Sequence, residues 1–277
     1  MPEQADFNIV VDEIVSQDGL SNIRPVVEKE LLHYDILYCL AKDGLLKSLT
    51  FQGGTSLRLC YGSNRFSEDL DFAGGRGFCS TDLSRIKESV EKYLGGRYGL
   101  EVSVKEPSEL RKEPKYADVK VDKWQISVTT APERRDLPKQ RIKIEIANIP
   151  AYTKNPRALT RNYAVLPDGY SDTIVSVEEL TEIMADKLLS FPATTSHIRH
   201  RDMWDLVWLK QQNVEPDIDL IKRKLSDYHL TDFADQLQAR LDSIGAIIES
   251  GTFQEEMKRF IPAPVYSRTI GQTSRNL

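Results

Sequence analysis

A chain of 277 residues that is 40% hydrophobic and 29% charged, with 15 Gly and 13 Pro, can bury one large core or two modest ones, and its composition is neither disordered nor fibrous. No apolar run approaches the ~20 residues of a membrane helix, and the start MPEQADFNIV lacks a basic segment followed by an apolar one. No membrane association or signal peptide is therefore expected, and the net charge of −5 does not by itself point to a nucleic-acid partner.

In chain order, Val27, Leu31, Tyr34, Leu37, Ala41 and Leu45 recur every three or four residues and predict a long helix ending near Asp43-Gly44. The run LTFQGGTSLRLCYGSNRFSEDLDFAGG then reads as a short strand, a Gly-Gly turn, a helix from about Thr55 to Tyr61, a loop, and a strand from Glu68 to Ala73. Leu83, Ile86, Val90 and Leu94 mark a further helix. From Leu100 to Asn148 the period drops to two, in EVSVK, WQISVTT and RIKIEIAN, so Ile142, Ile144 and Ile146 should enter the core while Lys143, Glu145 and Ala147 face the other way. Pro150, Pro156 and Pro167 punctuate an expected linker. Beyond it, Ser176 to Glu179 has the Ser-x-x-Glu form of a capping box, helices are expected near 177–190, 200–212, 216–228, 232–248 and 253–260, and the tail after Pro264 is expected to be loose. Two lobes follow: residues 1–150 with a mixed sheet and the site, and residues 151–277, mainly helical, closing over it.

Within this frame, Asp69 and Asp71 lie two apart on an expected strand, so both carboxylates share one face. Side by side they repel unless a cation lies between them, and hard oxygen ligands at this spacing suit Mg²⁺, with Glu145 on a matching strand face as third ligand. A lone D-x-D is more often just an exposed pair on an edge strand. Gly53-Gly54-Thr55, between strand and helix, can offer free N–H groups to phosphate, or can simply be a tight turn. Ser67 shares the face of Asp69 and Asp71, or is a strand-entry serine. Arg65 binds a triphosphate oxygen or pairs with a carboxylate. Lys187 emerges from the apolar helical face of Leu180, Ile183, Met184 and Phe191 and needs a partner, either a triphosphate or water reached by snorkelling. Asp202 lies near a helix start, where an acid is favoured in any case. Cys39, Cys60 and Cys79 are odd in number and lack CxxC spacing, which argues against a disulfide framework and a zinc site. Residues 105–161 carry 14 Lys+Arg against 8 Asp+Glu between acidic flanks. Arg134, Arg135, Lys139 and Arg141 there form a candidate track for an RNA backbone, or a solvated mixed-charge face.

The string GGTSLRLCYGSNRFSEDLDF resembles the first motif of the AbiEii/AbiGii nucleotidyltransferase toxins, GG[TS]-x-L-R followed by R-x-S-x-D-x-D. Later pieces fall in the family's order: IEI with Glu145, EELTEIMADKL with Lys187, and RHRDMWDL with Asp202, so the likeness spans residues 51 to 209. The resemblance implies an α+β, DNA-polymerase-β-like nucleotidyltransferase fold with a C-terminal helical lobe. It also implies a place in a toxin–antitoxin or phage-defence (abortive infection) system with a separately encoded antitoxin; a cytoplasmic location is expected from the missing membrane helix and signal peptide. Toxins of this kind transfer nucleotides from an NTP, with tRNA acceptor ends modified in the better understood cases, which stops translation. Ser67, Asp69, Asp71, Lys187 and Asp202 match positions regarded as important there, and in some relatives the matching serine is thought to be blocked by phosphorylation.

The combined expectation is an NTP held between lobes, its triphosphate on Gly53-Gly54, Arg65 and Lys187, with Mg²⁺ on Asp69, Asp71 and Glu145 and an acceptor hydroxyl attacking the α-phosphate. Two rivals are transfer to a protein hydroxyl, Ser67 included, and a non-catalytic partner-binding module on the same fold.

Overall fold

Asp6 caps the first helix, α1 (Phe7–Val15), by accepting the N–H groups of Asn8 and Ile9. Pro25 stands in the first turn of α2 (Arg24–Lys42), where its missing N–H costs nothing, and the helix buries Val27, Leu31, Tyr34 and Leu37. The chain then enters β1 (Thr50–Gln52), turns directly into α3 (Gly53–Tyr61), which ends at left-handed Gly62, and returns as β2 (Leu70–Ala73). Helix α4 (Ile86–Tyr98) follows, and then β3 (Val102–Lys105), β4 (Val121–Val128), β5 (Gln140–Ala147), β6 (Asn155–Ala158) and β7 (Ile174–Val177). The remaining helices are α5 (Leu180–Ala193), α6 (His200–Gln211), α7 (Ile218–Asp227), α8 (Phe233–Glu249), α9 (Gly251–Lys258) and α10 (Ala263–Thr273). These elements come from a computed structural model that describes residues 5–16, 19–109, 119–134 and 136–273.

Among the described residues the strands form one seven-stranded sheet in the order β3-β4-β5-β2-β1-β7-β6. The central pairs β2·β5 and β1·β7 are parallel and the others antiparallel. One face is built by the expected alternation: Ile142, Ile144, Ile146, Trp124, Ile126, Leu70 and Phe72 are all buried in the main core with residues of α2 and α4. At ~1.5–3 kcal/mol for each large aliphatic or aromatic side chain buried, this face fixes the register of β5 against β2 and so the height of every residue on the opposite face.

The switch from sheet to helix falls after Val177 and not at residue 150. The Pro-marked linker contains β6, whose Pro156 is tolerated because β6 lies at the sheet edge and pairs with β7 alone. The capping box is also absent. Ser176 and Val177 belong to β7, and α5 begins at Leu180 behind Glu179, which makes no side-chain cap bond. The tail beyond Pro264 is helical: α10 packs back on the N-terminal part of the chain, where a Cβ on Gly19 would stand 2.3 Å from Pro264 Cδ. No helix of the described residues is long and apolar enough to cross a membrane.

Candidate active site

The register of β2 on β5 sets Asp71 directly beside Glu145, with Gln52 of β1 beyond Asp71 and Lys123 of β4 beyond Glu145. Directly paired residues point to the same side of a sheet, and neighbouring strands lie ~4.8 Å apart, so Gln52, Asp71, Glu145 and Lys123 form one row on the face opposite the core. Asp69 stands just before β2, because the strand starts at Leu70 and not at Glu68. Its Oδ1 accepts the N–H of Lys143 at 3.0 Å and its carbonyl accepts the Thr55 hydroxyl. Thr55, expected at a phosphate, thus anchors the loop that carries Asp69.

The row is short of positive charge at its centre. Burial, and next the charges of Glu145 and Asp69, push the Asp71 carboxyl up to about 7, against the weaker pull of Lys187 and Arg199. Glu145 is engaged by Lys123 Nζ at 3.3 Å and Lys143 Nζ at 3.9 Å. Among the described residues no group of three or more His, Cys, Asp or Glu side chains stands ready-made to hold a metal ion. Asp69, Asp71 and Glu145 nevertheless border one open cleft of about 200 Å³, together with Gly54, Arg65, Ser67, Lys187, Arg199 and Asp202.

The glycine turn is explained by packing. Gly53 has φ +78°, and a Cβ on it would stand 2.7 Å from Asp71 Oδ2; on Gly54 a Cβ would stand 2.3 Å from Arg65 Nη2 and 3.1 Å from Ser67 Oγ. These glycines let the acidic strand and the Arg65-Ser67 loop close on the start of α3. Ser67 lies in the loop before β2 and not on a strand, yet it is buried at the cleft wall beside the acidic residues.

Arg65 and Lys187 are engaged by carboxylates in this structure, which alters the expectation that both hold a triphosphate. Arg65, 2% exposed, donates Nε and Nη2 to Asp205 at 2.8 and 2.7 Å and Nη1 to the Phe66 carbonyl at 2.7 Å. Breaking so buried a bidentate pair is expensive, so Arg65 ties the acidic loop to α6. Lys187 Nζ lies 2.6 Å from Asp202 and 2.9 Å from Asp205. Asp202 also accepts from Arg199 and from the Ser190 hydroxyl. Burial opposes ionisation of both aspartates, yet Lys187 and Arg199 hold Asp202, and Arg65 and Lys187 hold Asp205, below the usual carboxylate range. In this cluster Arg65, Lys187 and Arg199 face Asp202 and Asp205, three cations against two carboxylates, beside the acidic row in the same cleft.

Sequence reasoning missed Asp205, Arg199 and Gln52. The spacing of Asp202 and Asp205, three apart on α6, puts both on one helix face and was a usable signal. The basic track fares differently. Arg134 is bidentate to Asp136 and Lys139 pairs with Glu101 at 3.1 Å, while Arg135 lies outside the described residues. Cys39, Cys60 and Cys79 are free thiols, as expected.

Comparison with known proteins shows the family and the fold. A family model described as nucleotidyl transferase AbiEii toxin, type IV TA system, matches residues 35–270. The fold is similar to that of MenT4, a nucleotidyltransferase toxin from Mycobacterium tuberculosis H37Rv, at 22% identity and TM-score 0.54, covering 79% of this chain and 68% of that one. Looser likenesses, which carry no argument, are to a candidate nucleotidyltransferase from H. pylori (22% identity, TM-score 0.46, 83% and 86% covered) and to JHP933 from Helicobacter pylori (20%, 0.43, 91% and 95%). A search of curated proteins returns no match.

Proposed function

This chain belongs to the AbiEii family of nucleotidyltransferase toxins of type IV toxin–antitoxin systems, and from that premise we propose that it is a Mg²⁺-dependent enzyme that transfers a nucleotide from an NTP to an RNA acceptor, the tRNA 3′ end, and so blocks translation. The reading is carried by one observation: Asp71 and Glu145 are register partners on adjacent parallel strands and, with Asp69, border a cleft that Lys187 and Arg199 also line.

The donor set fits a divalent cation. Three hard oxygen side chains border the cleft, the countercharge of Lys187 and Arg199 is too weak to offset the burial of Asp71 and its acidic neighbours, and Gln52 Oε1, next in the row, is buried without a hydrogen-bond partner among the described residues. A cation held by Asp69, Asp71 and Glu145 would lower the pKa of the acceptor hydroxyl and offset charge on the departing pyrophosphate. The protein's own groups do the rest. Lys187 and Arg199 face the phosphates, Asp202 and Asp205 fix the Lys187 ammonium, and the turn at Gly53-Gly54 brings backbone close to the acidic strand. The acceptor oxygen bonds the α-phosphorus as the bond to pyrophosphate breaks, and its proton passes to a carboxylate of the row or to solvent. Positioning and charge stabilisation supply most of the catalysis in such transfers.

Incubating the protein with Mg²⁺, each radiolabelled NTP in turn and total tRNA tests this. Label at RNA 3′ ends is expected. Label in protein alone would replace RNA with a protein hydroxyl as acceptor, and absence of label from both would remove the proposed activity. The family's type IV systems pair the toxin with an antitoxin, which is the expected partner of this chain.

A further inference from the structure

The face that carries the carboxylate row continues across β5, β4 and β3. Beside the row of Lys123 and Glu145 lies a second, Lys105-Gln125-Lys143, whose Lys143 N–H reaches Asp69, and beyond it a third, Ser103-Ser127-Arg141. Alternate residues along a strand are ~6.7 Å apart, so this face extends ~13 Å from Glu145 to Arg141. On it Lys105, Arg141, Lys143 and Ser103 are exposed and Gln125, Ser127 and Lys123 half-buried, while Val104, Trp124, Ile126 and Ile142 fill the opposite face.

The chemistry of the face selects its occupant. Among the described residues its three rows offer four cations, an amide and two hydroxyls; Lys123 and Lys143 lean toward Glu145, and Lys105 and Arg141 stand outside that pairing. The two outer rows hold no acidic side chain, Glu101 lying beyond the third, and no aromatic ring. Among the described residues Val121, 40% exposed, is the one large exposed apolar residue near it. A protein partner would need apolar or aromatic anchors, and base reading would need stacking rings. A polyphosphate backbone needs what is there. We infer that this open face of β3-β4-β5 is the platform on which the backbone of a single-stranded RNA acceptor lies as its 3′ end reaches Asp71 and Glu145. The inference rests on the RNA-acceptor reading above and relocates the contact from the β4-β5 connection, where Arg134 and Lys139 are neutralised by Asp136 and Glu101, to the sheet.

The test measures fluorescence anisotropy of fluorescein-labelled oligoadenylate and oligouridylate RNA with Mg²⁺ across a salt series, for the wild type, Lys105→Gln/Arg141→Gln and Arg134→Gln/Lys139→Gln. None of these positions is in the catalytic row, and thermal melts verify folding. Both RNAs should bind wild type alike. Lys105→Gln/Arg141→Gln should weaken binding roughly 10- to 30-fold at ~0.1 M salt and reduce the log–log salt slope by ~1.4, about 0.7 per lost contact, while Arg134→Gln/Lys139→Gln changes little. Unchanged binding by the sheet variant, loss through Arg134 and Lys139 instead, or no binding by wild type would overturn the platform. Transfer of labelled nucleotide to RNA is scored in parallel. Labelling by wild type with an unchanged RNA KM in the sheet variant removes the platform but keeps the activity, whereas absence of RNA labelling by wild type removes the RNA-acceptor reading itself.

Discussion

Helix α5 borders two buried charge clusters with opposite lessons. On one side Lys224 of α7, 1% exposed, lies 2.8, 2.9 and 3.3 Å from Asp186, Glu182 and Glu178. Glu182 further accepts the N–H groups of Tyr152 and Thr153, so β7, α5, α7 and the chain after β5 meet at one ammonium. Burial and next Asp186 push Glu178 well above the carboxylate range, while Lys224, opposed by burial, is held up by its three acids. On the other side Lys187 sits between Asp202 and Asp205, but its cluster lines a cleft and has cations to spare. Burying ions is costly in either place. The closed cluster recovers that cost in tertiary connections, and the open one holds charge ready for an anionic substrate.

The contrast is broken most directly at the acidic row. Asp71→Asn should lower nucleotide transfer by at least ~10³-fold, about 4 kcal/mol of barrier, with the melting temperature level or raised, because an unfavourable buried charge is gone. Lys224→Met should do the reverse: leaving three acids unpaired costs ~3–5 kcal/mol, a fall on the order of 10 °C in Tm, with activity per folded molecule retained. Lys187→Met falls between. Asp202 keeps Arg199 and Asp205 keeps Arg65, so the stability loss should be about 1–2 kcal/mol, whereas transfer should drop ~10²-fold or more. Differential scanning fluorimetry alongside radiolabel transfer separates these cases, and equal behaviour of the two lysine variants would erase the distinction between the clusters.

A smaller effect sharpens it. A carboxyl raised from its ordinary value near 3.8 to about 7 by folding binds more protons in the folded state, so the contribution of Asp71 to metal-free stability is greatest below that window and is lost as pH rises from about 4 to about 7. Allowing for partial exposure, the fall should amount to about 2 kcal/mol. Urea midpoints at either end of the window should show that Asp71→Asn reduces this decline; an identical decline in the variant would mean that Asp71 is not the strained group.

Much of this was legible in the chain, for identifiable reasons. The period-two run through Ile142, Ile144 and Ile146 fixes the face of Glu145, and the D-x-D spacing fixes that of Asp71, so the register pair follows once β2 and β5 are neighbours. That neighbourhood is tertiary and no local pattern states it. Strands β6 and β7 were hidden because each is four residues long, one holds Pro156, and Ser176 to Glu179 imitates a helix cap. Lys187 was marked by its apolar surroundings, but its partner Asp205 lies on the next helix, and the capture of Arg65 depends on α6 folding back 140 residues later in the chain.

The account stands or falls on Glu145, the residue that joins the acidic pair from another strand. Glu145→Gln keeps the volume and the β2·β5 register but removes the charge, so transfer of radiolabelled nucleotide at saturating Mg²⁺ should fall at least ~10²-fold with the melting temperature held to within a few degrees. Full activity in a folded Glu145→Gln protein would contradict the assignment of this row as the catalytic centre.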